Sequence, residues 1–434
     1  QAGVDEMVEA LEVRYLANKD EQVYFALLTD FTDAPQEHMP LDEILTDRLK
    51  SGIEELNRKY CAERNDTFFA LHRPRLFNAQ EGVWMGFERK RGKLNALNDL
   101  LQHDKPDAFS LIAGDIAAIG AVKYIITLDA DTQLPREAAR KFVGAMSHPL
   151  NRPRYDKQKK MVVDGYGILQ PRVDISLSPL HDRSDYARLC AHSVGIDPYT
   201  RTVSDVYQDL FHEGSFIGKG IYELEAFSLT LDGRFPDNQI LSHDLVEGCY
   251  ARSGLLSDGQ LYETFPGSYT VDAARRHRWI RGDWQILGWL LPFTKDASGQ
   301  SKANELSLLS RWKIFDNLRR SLVPMSQLVL FVLSWTWLSE ALFWTASMAA
   351  LIYLPGIMFF LSDVLRKPSE MPLSQHLKNA FVSFRQSLSL TTFHLSCVPY
   401  EALSNSDAIL RTLYRMFVSH KHLLEWRTAS SVKA

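Results

Sequence analysis

Asp129 and Asp131 stand one residue apart at the end of the apolar run Tyr124-Ile125-Ile126-Thr127-Leu128, and their type and spacing point to metal chemistry. Side chains alternate along a strand, so residues at i and i+2 face one point. Two carboxylates at the C-terminal end of a strand, in the crevice where open α/β sheets take ligands, suit a divalent cation carrying a nucleotide diphosphate. Taken alone, the pair reads first as a solvated turn after a strand. Its neighbours decide between the two readings.

Asp244 opens the helix-like run Leu241-Ser242-His243-Asp244-Leu245-Val246-Glu247-Gly248, where a carboxylate serves as a cap or, beside a metal pair, as a general base. The segment Ala274–Trp284 packs four arginines around Trp279, a pattern that by itself describes a basic helix at a membrane surface. With the Asp pair and Asp244 in one chain, the three motifs fit group transfer from a nucleotide-activated donor. Loss of a nucleoside diphosphate develops negative charge on phosphate oxygens, which a cation on Asp129 and Asp131 and the guanidinium groups of Arg275 and Arg278 oppose. Asp244 would take the proton of the acceptor hydroxyl, and the Trp279 ring would meet the apolar face of a sugar. Lys90, in the basic stretch Glu88–Asn98, is expected at a helix N-terminus facing the diphosphate, and Asp30 at the carboxyl end of the strand-like run Tyr24–Phe31. The glycine-rich segment Glu213–Gly220 reads as a close backbone approach to ligand or as an ordinary turn.

The elements that must position these groups fall in the first 300 or so residues, which read as a soluble α/β domain. A helix is expected to start at Leu134-Pro135-Arg136-Glu137, and a strand over Gly165–Arg172. At 434 residues the chain has ample length for a buried core, and 49 basic against 53 acidic residues give no reason to expect nucleic acid as partner. The four cysteines are far apart, show no metal-ligand spacing, and read as free thiols of a reducing compartment. Gln1 in place of an initiator Met marks the chain as an excerpt of something longer.

From Ser321 to Ser362 the only charged residue is Glu340, which splits an apolar tract into Ser321–Ser339 and Ala341–Ser362, each long enough to cross a hydrocarbon core of roughly 30 Å. Arg319 and Arg320 before it and Arg366 and Lys367 after it place both outer ends on the cytoplasmic side. The expected organisation is a catalytic domain over 1–300, a membrane hairpin within 301–372, and amphipathic, interfacial helices over 373–434 leading to further domains. The uncharged stretch Gln386–Tyr400 is short for a third span.

These motifs resemble those of the processive family-2-type glycosyltransferases with a GT-A fold, which include cellulose and hyaluronan synthases. Asp129-Ala130-Asp131 matches their DxD, Asp244 the acid of their Thr-Glu-Asp motif, Arg275-x-x-Arg278-Trp279 their QxxRW, and Lys90–Asn95 their donor-site segment. Asp30 resembles the first-strand aspartate near the nucleotide. His243 in place of Glu and Arg275 in place of Gln depart from the cellulose-type pattern. The wording of Phe25–Ala34, Tyr207–Phe216, Ser242–Gly248, Arg275–Gln285 and Leu423–Trp426 is more similar to the glycosyltransferase domain of cyclic β-1,2-glucan synthases, glycosyltransferase family 84. That resemblance implies a multidomain enzyme of the bacterial inner membrane with a cytoplasmic catalytic face. It implies Mg²⁺ or Mn²⁺ as cofactor and inverting transfer of glucose from UDP-glucose to a growing β-1,2-glucan. A synthase of another β-glucan, and a degenerate nucleotide-sugar-binding membrane module, are the alternative readings.

Overall fold

All six residues of Phe-Phe-Ala-Leu-His-Arg at 68–73 are buried, as befits a strand covered on both faces. In the computed structural model, which describes residues 2–61, 66–176, 184–190 and 205–425, this strand is β2. It pairs in parallel with β1 (Phe25–Asp30) and antiparallel with a short strand at Leu111–Ala113, the hairpin β3 (Leu76–Asn78) and β4 (Val83–Met85) intervening in the chain and making the short strand β5. Helices α1 (Ala2–Ala17) and α2 (Asp42–Tyr60) cover one face, closing Leu11, Ile53 and Leu56 on Phe68. Acidic residues open α2 and Arg58 and Lys59 close it, as the helix dipole favours. On the opposite face Leu97 and Leu100 of α3 (Arg89–His103) meet Phe69 and Leu71.

A second sheet carries β6 (Tyr124–Thr127), β9 (Ile168–Ile175), β10 (Gly220–Glu223) and β11 (Ser253–Glu263) in the order β11-β9-β10-β6, beside a hairpin of β7 (Arg154–Asp156) and β8 (Met161–Asp164). Only β10 runs antiparallel to its neighbours. The C-terminal ends of β6 and β11 and the start of β10 therefore share one edge. Phe142 and Met146 of α4 (Ala138–Ser147) pack on one face with Val173 and Leu261. After the short helices α5 (Asp185–Cys190) and α6 (Val206–Phe211), α7 (Leu224–Leu231) and α8 (Asp244–Tyr250) bury Phe227 and Val246 on the other face. Helix α9 (Tyr269–Gln285) and the hairpin β12 (Phe293–Lys295) and β13 (Ser301–Ala303) precede three long helices, α10 (Leu308–Thr336), α11 (Ala341–Leu365) and α12 (Leu373–Tyr414).

Several expected boundaries move. β6 ends at Thr127, so Asp129 and Asp131 lie in the turn that follows, and their approach comes from the turn rather than from the pleat. Helix α4 begins at Ala138, because Leu134–Glu137 forms the turn that precedes it and Ala138 N–H donates to the Pro135 carbonyl. The strand expected from Gly165 begins at Ile168.

The apolar tract breaks at Glu340, as its composition implies, and its first half continues a longer helix. Ile314 and Leu318 of α10 belong to the core under the second sheet, so the helix that carries the first half of the tract starts within the packed domain, at Leu308. Its later turns expose Val329, Leu330, Val332 and Trp335. Glu340 sits at the break between α10 and α11 with φ of 62°. Among the described residues α11 alone is long and apolar enough to cross a membrane, at 25 residues and mean hydropathy 1.9. Within the region expected to hold interfacial helices, α12 runs for 42 residues alongside its neighbours. Tyr353 Oη and Thr392 Oγ1 are 2.9 Å apart, the Phe360 and Phe384 rings lie 4.6 Å apart, and Asn405 donates to the Ser321 carbonyl. Trp426, within the similar wording noted above, lies outside the described residues.

Arg75 holds the loop that leads away from Asp30. Its guanidinium pairs with Asp42 at 2.5 and 3.2 Å, donates to the Thr32 and Glu37 carbonyls, and lies 4.5 Å from the Phe31 ring centre. Burial opposes ionisation of Asp42, yet the hydrogen bonds from Arg75 and Met39 hold its carboxyl below the ordinary value. Arg75→Ala strands that buried carboxylate, and the expected cost is about 3–5 kcal/mol, read as a lower thermal midpoint in detergent. The pair's contribution is complete above the ordinary aspartate pKa and declines as pH falls through the lowered one, so the gap between wild type and variant should narrow in acid.

Candidate active site

The shared edge of the second sheet gathers the candidate chemistry. The turn after β6 supplies Asp129 and Asp131, the end of β11 supplies Glu263, and carboxylate oxygens of all three lie within 4.8 Å of one another. The chain joins them through a bridge between Gln133 and Tyr262, with Gln133 N–H to the Tyr262 carbonyl at 2.8 Å, and through Thr132 Oγ1 donating to Glu263 at 2.8 Å. From outside the sheet Arg14 of α1 donates to the Ala130 and Thr132 carbonyls, both at 2.9 Å, and pins the turn. Three hard oxygen donors in this compass fit a divalent cation of the Mg²⁺ or Mn²⁺ kind.

Two lysines face the cluster. Lys90, in the first turn of α3, donates to Asp129 Oδ1 at 2.5 Å and to the Gly218 carbonyl at 2.7 Å. Lys219 stands 3.2 Å from Asp129 Oδ2 and forms an ion pair with Glu263. Burial pushes the Asp129 pKa upward, but Lys90 and Lys219 outweigh it and bring the value to about 2. Asp244 lies across the loop that links these residues. A Cβ on Gly218, whose φ is +85°, would sit 2.7 Å from Asp244 Oδ1. Asp244 is the first residue of α8, as its cap-like sequence implies, yet burial first, then Glu247 and Asp129, raise its pKa against the opposing pull of His243 and Lys90. His243 is buried behind it, 2.8 Å from Glu247 and 3.6 Å from Asp244. Although its own burial disfavours charge, those two carboxylates raise the His243 pKa.

The other expected site residues are distributed around this centre. Both Asp30 oxygens are engaged by Arg73, at 2.8 and 2.9 Å, and Arg73 also donates to the Arg89 carbonyl, so Asp30 braces the start of α3. Arg275, expected at the diphosphate, pairs with Asp272 at 2.9 Å and lies 4.8 Å from the Trp279 ring centre. Those partners hold Arg275 against its own helix. Arg278 is the arginine of α9 that senses Asp129: burial and Arg275 lower its pKa while Asp129 opposes them. Trp279, 37% exposed, lines a cavity of about 460 Å³ with Arg276, Asp283, Asn317, Gln327 and Glu401, between α9 and the long helices.

Arg276 and His277 fasten α9 to α12 through Glu401 at 2.8 Å and Asp407 at 2.9 Å. Beyond α12 the segment 420–425 returns across the domain as a strap. The Leu424 N–H donates to Glu81 and its carbonyl accepts from Arg89, the Leu423 carbonyl accepts from Gln285, and Glu425 pairs with Arg415. Sequence reasoning passed over Glu263, Lys219, Arg14 and the His243–Glu247 pair. Glu263 had a signal, an acid ending an alternating apolar strand like the Asp pair, and Lys219 lies in the glycine-rich segment already singled out.

No protein-family model matches the chain. The cyclic beta-(1,2)-glucan synthase NdvB of Rhizobium meliloti (strain 1021) is 42% identical over 433 residues, 99% of this chain. The likeness to cyclic β-glucan synthases thus runs along essentially the whole sequence and supports glucan synthesis. The chain spans 15% of the length of that relative, consistent with further domains in the same polypeptide.

The contact between Gly218 and Asp244 yields a controlled test. Gly218→Ala should lower transfer by about a hundredfold or more, since a Cβ there displaces the carboxylate as well as straining the backbone. Gly299→Ala shares a positive φ of +77° but has nothing within 4 Å of the added Cβ, and should keep its activity. Equal rates in the two variants would show that Asp244 tolerates displacement.

Proposed function

We propose that this chain is the glucan-polymerising segment of a cyclic β-1,2-glucan synthase, transferring glucose from UDP-glucose to a growing β-1,2-glucan with inversion at the anomeric carbon. The observation that carries this reading is the convergence of Asp129, Asp131 and Glu263 with Lys90 and the elevated-pKa Asp244 on one sheet edge, in a chain 42% identical to a glucan synthase. Residues 1–300, with the first turns of α10, constitute the GT-A catalytic unit in this reading. α10 and α11 form the membrane hairpin, with the catalytic face in the cytoplasm of a bacterial inner membrane. α12 leads towards the remaining domains.

A Mg²⁺ or Mn²⁺ ion held by Asp129, Asp131 and Glu263 would supply charge neutralisation to the leaving diphosphate. Lys90, fixed between Asp129 and the Gly218 carbonyl, adds a positive charge at the N-terminus of α3, where helix N–H groups also favour an anion. Arg278 extends that field from α9. Asp244 accepts the proton of the acceptor hydroxyl, and its raised pKa makes it a stronger base than an exposed aspartate while the His243–Glu247 pair behind it fixes its surroundings. Trp279, at the wall of the cavity, offers an aromatic face to the acceptor sugar.

Linkage analysis of the polymer made from labelled UDP-glucose tests the reaction itself: 2-linked glucosyl residues are expected, and another linkage would move the chain to a different β-glucan. UDP-glucose bound without turnover would make it a binding module. Asp244→Asn should abolish transfer while UDP affinity stays within about threefold, because size is kept and the proton acceptor is lost. In the wild type the rate should fall on the acid side at a pH above the ordinary carboxylate range, since the base works only when deprotonated and its pKa is raised. Trp279→Ala should impair glucan extension more than UDP binding, as comparison of elongation rate with UDP affinity would reveal.

A further inference from the structure

Lys219 is the charged side chain of the acidic cradle that the proposed transfer leaves without a role. Its ammonium group lies between Asp129 Oδ2 and Glu263, and its side chain is only 12% exposed. Both partners belong to the trio whose oxygens come within 4.8 Å. The backbone around it is set by glycines on either side, Gly218 at φ +85° and Gly220 at the start of β10. The backbone position is thus held while a four-carbon arm carries the charge, and such an arm can swing. Lys90 differs, because the Gly218 carbonyl ties its ammonium to the backbone.

Charge balance shows what this arrangement does. Among the side chains in direct contact, three carboxylates and two lysines sum to one negative charge, with the guanidinium groups of Arg14 and Arg278 further off. A divalent ion added alone overshoots to net positive and must share Asp129 and Glu263 with an ammonium already seated there. An ion arriving with a diphosphate donor, which brings two negative charges, restores the original balance and offers the ammonium new oxygen partners.

We propose that Lys219 is a resident counter-ion of the cation cradle: it holds Asp129 and Glu263 together in the empty site, competes with the divalent ion, and passes to the donor diphosphate when ion and donor bind together. This rests on the reading of Asp129, Asp131 and Glu263 as cation ligands. It makes ion binding depend on donor binding, because the lysine vacates the cradle only when a diphosphate receives it.

Binding of Mn²⁺ to the full chain in detergent, followed by the loss of the free-ion paramagnetic resonance signal with and without saturating UDP, tests the proposal. The wild type should bind Mn²⁺ weakly alone and about tenfold or more tightly with UDP. Lys219→Met and Lys219→Gln should bind Mn²⁺ alone about tenfold more tightly than wild type and show a smaller gain from UDP, whereas Lys219→Arg should keep the wild-type pattern. The glutamine retains an N–H donor towards Glu263, so the test survives a methionine variant that does not fold. Unchanged or weaker Mn²⁺ affinity in the charge-removing variants, with wild-type binding intact, overturns the role of Lys219 and leaves the cation site standing. Absence of Mn²⁺ binding in wild type and variants alike, with or without UDP, overturns both.

Discussion

Three carboxylates cannot remain ionised within a few ångströms of one another unless cations share their space, and that constraint organises this protein. Asp129, Asp131 and Glu263 meet because the C-terminal ends of β6 and β11 open on the same side of the sheet, and Lys90 and Lys219 make the meeting tolerable. The two lysines come from different parts of the chain. Lys90 belongs to the helix that covers the first sheet, Lys219 to the loop that starts β10, so compensating the charge also joins the two sheets. The strong depression of the Asp129 pKa expresses the same fact in a single group.

Around this centre, ordinary structural contacts set the position of each reactive atom. Arg14 of the first helix fixes the turn that carries the Asp pair, and Arg73 clamps Asp30 so that α3 starts where Lys90 can reach Asp129. On α9 the basic residues divide their work: Arg275 stays with Asp272 and Trp279, Arg276 and His277 bind α12, Arg281 reaches the strap, and Arg278 lies in the field of Asp129. A cluster that reads as one basic patch is thus a set of separate contacts along α9.

Much of the candidate site was legible because its signals are local. The Asp pair follows an apolar run, Asp244 opens a helix, and Lys90 sits in a basic stretch ahead of a helical pattern. What escaped depends on pairing between distant segments. Glu263 joins Thr132 across 131 residues and Arg14 reaches Ala130 across 116, and neither separation leaves a periodic trace. The full extent of α10 escaped for a related reason. Composition turns apolar near Ser321, but the helix that carries the change begins at Leu308 and spends its first turns in the core, and hydropathy cannot see a helix serving two surroundings.

The strap at residues 420–425 sets an order in time. Leu424 hydrogen-bonds to Glu81 and Arg89, partners separated from it by 343 and 335 positions, and Leu423 reaches Gln285. During synthesis at roughly 5–20 residues per second, the early segments wait many seconds for that clasp to emerge. Throughout the wait Arg89 lacks its Leu424 partner and the polar end of Glu81 is without the N–H it will accept. This part of the fold is therefore fastened only once the segment after α12 has been made. A ribosome that stalls within α12 leaves a chain that has every candidate catalytic side chain and still lacks the fastening that draws α3 and α9 together.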